Sequence, residues 1–145
     1  MLHKLVSIFG FLLMVASMVL LFRDRSLFGN NVLAIVVQAL AAGLMIWART
    51  TFGRRSYRLV GDPTEGGVVT TGPYRYIRHP IYASILYFIC AGVLCHLSAG
   101  SLAAGAAAVI GVALRIFVEE RLVAERYPEY REYAARTKRL IPYLL

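Results

Sequence analysis

The sequence predicts an all-α integral membrane protein with about four transmembrane helices, a cytoplasmic loop, a C-terminal amphipathic helix and both termini in the cytoplasm. Three observations predict it. Hydrophobic residues make up 59% of the 145-residue chain and charged residues only 17%, whereas a soluble domain is about half apolar and roughly a quarter charged. Four apolar runs, 5–22, 32–48, 81–97 and 101–118, are each about 17–18 residues long, near the lower limit for crossing a hydrocarbon core of roughly 30 Å. The basic residues are also segregated. If all four runs cross, Arg23 and Arg25 lie on one side, Arg115 lies inside the fourth run, and the other thirteen lysines and arginines share the opposite side. The positive-inside rule makes that side cytoplasmic. Contact with anionic headgroups then accounts for most of the net charge of +8, so the basic balance calls for membrane lipids as partners and for no nucleic acid.

The elements follow in order. Run 5–22 follows Lys4 like a signal peptide, but it is long for one, and Met18-Val19-Leu20-Leu21-Phe22-Arg23 offers no small-residue cleavage site; it reads as a retained helix. A polar turn ends at Asn31, an N-cap for the second run. In that run Ala39, Ala41, Ala42 and Gly43 suit close helix packing, and Trp47 suits the interface. Segment 49–80 is a long connection, with turns at Gly61-Asp62-Pro63 and Glu65-Gly66-Gly67 and a short extended piece at 68–71. It carries neither a GxGxxG nor a Walker-type glycine loop, and a loop this long in so small a domain is usually functional.

The third and fourth runs are separated only by Ser98-Ala99-Gly100, which forces an antiparallel hairpin. Its arms are of similar length, so His79 to Tyr82 should meet Glu119-Glu120 at one cytoplasmic edge. The fourth helix should continue through Arg126. Pro128 should sit early in a second helix, whose Tyr127, Tyr130 and Tyr133 alternate with charges as in an amphipathic helix. Residues 140–145 should tuck back. Cys90 and Cys95 lie five apart in one apolar run, with no His at ligand spacing, so small core residues are expected and no metal. The whole forms a single membrane domain, 1–145: a helix pair (1–48), the loop (49–80), the hairpin (81–118) and a cytoplasmic helix and tail (119–145).

Two clusters could carry chemistry. In Arg78-His79-Pro80-Ile81-Tyr82, Pro80 suits a first helical turn, whose exposed N–H groups and dipole favour an anion. Arg78 adds a cation, and His79 and Tyr82 add hydrogen-bonding groups and flat faces. A zwitterionic aromatic cofactor would suit this segment; an ordinary interfacial belt of Arg, His and Tyr has equal weight on residue types alone. Glu119-Glu120 could accept hydrogen bonds from hydroxyl or amino groups or balance a sulfonium. Arg115–Glu119 is an i,i+4 pair, which leaves Glu120 as the expected free carboxylate. Arg126 suits an anionic substrate group or, more blandly, a headgroup.

These elements, Thr70-Thr71-Gly72-Pro73-Tyr74-Arg75-Tyr76-Ile77-Arg78-His79-Pro80-Ile81-Tyr82, then Glu119-Glu120-Arg121-Leu122, then Arg126-Tyr127 with Tyr130, Tyr133 and Pro142, resemble the isoprenylcysteine carboxyl methyltransferase-like membrane methyltransferases, which are related to phospholipid N-methyltransferases. The resemblance covers about residues 49–143. It implies a cytoplasm-facing S-adenosylmethionine site and a membrane-accessible tunnel for a lipophilic acceptor, such as a carboxylate, amine or thiol. By position it implies cofactor contacts from Tyr76, Arg78, His79, Pro80, Tyr82, Glu119 and Glu120, with Glu120 and Arg126 near the reacting centre. Ala83 stands where the family often has Gly, and Tyr127-Pro128 replaces its usual Phe-Gly. The compact form leans towards a prokaryotic inner membrane. Two other readings remain open: an NADPH-dependent membrane reductase of the sterol-reductase type, and a non-catalytic lipid-binding scaffold using Arg54 and Arg55.

Overall fold

A computed structural model of the chain describes residues 2–53 and 66–144. Among them are five α-helices, which we number α1 (Leu2–Arg23), α2 (Val32–Phe52), α3 (Pro80–Cys95), α4 (Ala99–Arg126) and α5 (Tyr130–Arg136), with a short 3₁₀ turn at Gly72–Arg75. Arg54, Arg55 and Arg58, the turn at Gly61-Asp62-Pro63 and Glu65 lie outside the described residues.

Three helices, α1, α2 and α4, are long and apolar enough to cross a membrane, whereas α3 has 16 residues. At 1.5 Å per residue α3 spans only about 24 Å. The third of the four expected apolar runs therefore forms the shortest of the four long helices. Its shortness is tolerable because it is packed by protein: Ser84, Leu86, Ile89 and Val93 are all buried, α2 lies on one side and α4 on the other. By contrast only 28% and 22% of the apolar stretches of α1 and α2 are buried. Large side chains such as Leu5, Phe9, Leu12, Leu33, Leu40 and Ile46 point outward, as a lipid-facing surface requires.

The principal packing runs α1 on α4, α4 on α3 and α3 on α2. Lipid tails are as apolar as the helices, so association depends on close van der Waals fit and polar contacts. The buried residues of α1 are Ser7, Gly10, Met14, Ser17 and Leu21, a spacing that averages 3.5. Those of α4 include Ser101, Ala104, Ala108, Gly111, Arg115 and Val118 at the same spacing. This is the seam of a left-handed antiparallel pair. Its closest point is Gly10 against Gly111, where a Cβ on either would lie 2.7 or 2.6 Å from the other's carbonyl oxygen. In α2 the inward stripe is Ala34, Gln38, Ala41 and Ala48. Of the four small residues expected to pack, only Ala41 does; Ala39, Ala42 and Gly43 face outward.

The α1–α2 connection folds in over the end of α3. A Cβ on Gly92 would lie 2.2 Å from the Leu27 carbonyl oxygen. Irregular backbone at such a place must be satisfied internally, and Gln38 does this. Its Nε2 donates to the carbonyls of Leu27 (2.8 Å) and Phe88 (3.0 Å), and its Oε1 accepts from Gly29 N–H (2.9 Å). Asn31 caps α2 as expected, accepting from Ala34 N–H at 2.9 Å. The hairpin link is as short as expected but lies two residues earlier, at 96–98, because Ser98 is already the N-cap of α4 and closes a capping box with Ser101.

Near residue 115, α1 meets α4 through Ser7, and Phe52 at the end of α2 stacks on Tyr74 just before α3. The start of α1, the end of α2, the start of α3 and the end of α4 therefore share one end of the bundle. Among the described residues segment 68–71 has no strand partner, and the motif that follows enters through Gly72 at φ +57°. Pro128 precedes α5 in a turn and lies outside the helix.

Gly10→Leu should force α1 off α4 and lower stability by about 1–3 kcal/mol, the usual cost of overpacking, seen as a lower thermal midpoint in detergent. Leu12→Ala, on the outward face, should leave the midpoint nearly unchanged. Equal effects from the two variants would contradict the Gly10–Gly111 crossing.

Candidate functional site

The site lies where α3 begins and α4 ends. Pro80 is fully buried at the first position of α3, where its missing N–H costs no helical bond. His79 immediately precedes it, and Ala83 N–H donates to the His79 carbonyl (2.9 Å). This fixes His79 and Tyr82 on the edge facing α4. The hairpin brings Glu119 and Glu120 to the same edge, and the two carboxylates then diverge.

Glu119 faces inward. It accepts from the Tyr82 hydroxyl, pairs with Arg115 Nη2 at 3.6 Å and lies 3.8 Å from His79 Nδ1. Glu120 faces the tail. Its Oε1 accepts from Arg78 Nε at 2.9 Å and lies 3.3 Å from His79 Nε2. Its Oε2 accepts from Arg139 at 2.9–3.0 Å. His79 thus stands between the two acids, one ring nitrogen toward each. The expectation that Glu120 is the free carboxylate is overturned: it is the more heavily paired of the two. The i,i+4 argument from Arg115 considered only α4 and could not see Arg78 and Arg139 arriving from other segments.

Arg78 also holds the tail. Its Nη1 donates to the carbonyls of Ala134 (2.8 Å) and Thr137. A short parallel pairing runs alongside, with Arg78 N–H to the Lys138 carbonyl (2.7 Å) and His79 N–H to that of Arg139 (3.0 Å). The Tyr133 hydroxyl donates to the Tyr74 carbonyl (2.6 Å), and Tyr87 to that of Leu140 (2.6 Å). The tail is therefore stitched onto the motif. Tyr130 and Tyr133 are buried in this fold instead of lying on a free amphipathic face. Burial pushes the Tyr133 phenol up to about 12, against the opposing pull of Arg78, and burial followed by the nearby Glu120 raises that of Tyr130.

Not every expected residue joins. Tyr76 gives its carbonyl to Lys138 N–H (3.4 Å), while its side chain is 49% exposed. Arg126 is exposed at the end of α4, over the Tyr127 ring at 5.8 Å. Arg115 and Arg139, by contrast, belong to the cluster without having been expected as site residues. Arg115 carried a signal, as the one charge inside an apolar run; Arg139 looked like any other basic residue of the tail. Beside the cluster is a surface groove of about 320 Å³ lined by Thr70, Arg75, Tyr133, Arg136 and Thr137, near the lower size limit of small-molecule sites, about 300 Å³. Among the described residues no His, Cys, Asp or Glu group suits a metal.

Arg78→Ala should leave Glu120 with only Arg139 and His79 and leave two tail carbonyls without their side-chain donor. The loss should be about 1–3 kcal/mol, with faster proteolysis of the chain beyond residue 130. A wild-type digestion pattern would contradict the stitched tail. Alkali should loosen it too. A phenol whose pKa rises on folding, from about 10 to about 12, contributes fully below pH 10, and that contribution falls as pH rises through 12. The thermal midpoint of the wild type should drop across this window more steeply than that of Tyr133→Phe; parallel curves would rule out a contribution from Tyr133.

Comparison with known proteins places this arrangement. The family described as phospholipid methyltransferase matches residues 30–130. A cobalt-zinc-cadmium resistance protein, CzcN, of Cupriavidus metallidurans is 32% identical over 111 residues, which cover 72% of this chain and 50% of that protein. The chain thus spans about half the length of this curated relative. No solved structure matches. The matched segment runs from the start of α2 to the start of α5 and includes both halves of the paired edge, and on this ground the chain belongs to the phospholipid methyltransferase family, the isoprenylcysteine carboxyl methyltransferase-like membrane methyltransferases.

Proposed function

We propose that this chain is an S-adenosylmethionine-dependent methyltransferase, acting as one membrane domain on a lipophilic carboxylate, amine or thiol at the cytoplasmic face of a prokaryotic inner membrane. The observation that supports it most is the meeting of His79 and Tyr82 with Glu119 and Glu120, in a chain of a methyltransferase family. Basic residues at the same end, including Lys4, Arg49, Arg75, Arg131 and Lys138, support the orientation.

The residues present fit the cofactor. Carboxylates suit its amino and hydroxyl groups, the rings of His79 and Tyr82 suit a cation or a flat base, and Arg75 and Arg136 in the adjoining groove suit a carboxylate. When bound, S-adenosylmethionine supplies a methyl group activated on a sulfonium. The chain's own residues bind and orient, and holding two reactants in line can provide much of the rate. Glu119, held by Tyr82 and Arg115, offers fixed negative charge at the inner wall. Glu120, fixed between Arg78 and Arg139, serves as a clamp. Paired with two guanidinium groups, it is a poor proton acceptor. A carboxylate acceptor is already ionised at neutral pH and needs no base. For an amine acceptor a proton must leave, and the candidate route is through the His79 imidazole to the carboxylates on either side of it. Arg126, away from the cluster, suits an anionic group of an acceptor approaching along the membrane face.

Purified protein in detergent should bind S-adenosylmethionine in a calorimetric titration. Glu119→Gln and His79→Ala should each weaken binding about tenfold or more, the effect of losing about 1.4 kcal/mol. NADPH in the same assay should give no heat. Absence of heat with saturating S-adenosylmethionine, or binding of NADPH in its place, would overturn the proposal. Methyl transfer to a panel of prenylated thiols, lipid amines and small thiols should then identify the acceptor class.

A further inference from the structure

One buried cation enters the reading above only as a partner of Glu119. Arg115 is 4% exposed, in the part of α4 that faces both α1 and α3. Its Nε donates to the Tyr82 hydroxyl at 2.8 Å and its Nη1 to the Ser7 carbonyl of α1 at 3.3 Å; its Nη2 pairs with Glu119 at 3.6 Å. The guanidinium also lies over the Phe11 ring of α1, 5.4 Å from its centroid, and 5.7 Å from that of Tyr82. A guanidinium is planar and presents its donors in a fixed fork. Each edge of this one is committed to a different helix, so its orientation is set by α1 and passed to Tyr82 and Glu119.

The contact depends on the Gly10–Gly111 crossing one turn away, which brings the α1 backbone close enough for Ser7 to be reached. A carbonyl inside a helix already has an intrahelical partner, so the bond to Ser7 is a second acceptance by that oxygen. It is the kind of contact that forms only if the two helices are held in register. The family match begins at residue 30, so α1 lies wholly outside it.

We propose that α1 is a working wall of the site and that Arg115 is its positioning residue, holding the Tyr82 hydroxyl and the Glu119 carboxylate in place. The proposal deepens the methyltransferase reading and rests on it for the ligand. It predicts that the chemistry of the matched region depends on a helix outside that region.

Two measurements on the full chain in detergent separate the proposal from the reading beneath it. The first needs no cofactor. With 3-fluorotyrosine placed at Tyr82, the fluorine resonance should shift or split in R115Q and move by less in R115K, which keeps the charge and a donor but loses the fork. The second is the affinity for S-adenosylmethionine. R115Q should weaken it about tenfold, R115K should recover only part of that loss because it keeps the charge without the fork, and R115Q/Y82F should be no weaker than the worse single variant, because the two act as one unit. Gln38→Leu is the control for a merely structural effect, and should lower the thermal midpoint without changing affinity. An unmoved Tyr82 resonance, additive losses in the double variant, or an equal loss of affinity in Gln38→Leu would overturn the positioning role. If wild type binds no S-adenosylmethionine while the Tyr82 resonance still responds to R115Q, the methyltransferase reading fails and the positioning role stands.

Discussion

The ion pair between Arg78 and Glu120 is the constraint on which the end of the bundle where α3 begins and α4 ends depends. One guanidinium, only 9% exposed, links the end of α4 to the start of α3 and, through two carbonyls, to the C-terminal tail. A partly buried charge is stable only when paired and fully hydrogen-bonded. Arg78 meets that condition by drawing in the tail, and the tail meets its own backbone requirements by pairing with residues 76–79. The positions of Arg139 against Glu120, and of Tyr133 against Tyr74, follow from the same closure.

Deeper in the bundle the governing requirement is different. Helices surrounded by lipid gain little by hiding apolar surface from one another, so α1 and α4 associate through small residues repeating every 3.5 positions. The price of a short α3 is an α1–α2 connection that must descend to cover it, and Gln38 satisfies the backbone groups of that connection. These two polar arrangements, Gln38 near one end and Arg115 near the other, mark where the apolar packing gives way to directional bonds.

The amino-acid sequence reveals the helical hairpin and the meeting of its two motifs, because both follow from apolar periodicity and a link only a few residues long. It also reveals the cap at Asn31, a local interaction between neighbours in the chain. It does not reveal which of Ala39, Ala41, Ala42 and Gly43 packs, since all four are small and only the rotation of α2 against α3 distinguishes them. Nor does it reveal the pairing of Glu120. Local spacing makes Arg115 the obvious partner of Glu119 and leaves its neighbour unclaimed, whereas Arg78 and Arg139 reach Glu120 across 42 and 19 positions of sequence. The family resemblance is legible for the same reason as the hairpin: its two halves are contiguous strings. The residues that support them from α1 and the tail are not.

Why two adjacent acids rather than one? Consecutive residues on an α-helix diverge by about 100°, so Glu119 and Glu120 leave α4 in different directions. The helix instead presents one carboxylate to the side where Arg115, Tyr82 and α1 converge, and the other to the tail, where Arg78 and Arg139 converge. His79 lies between them, with Nδ1 at 3.8 Å from the first and Nε2 at 3.3 Å from the second. A single acid could anchor one wall of a site. The pair lets one turn of α4 fix two walls of different polarity, with the imidazole as the element common to both.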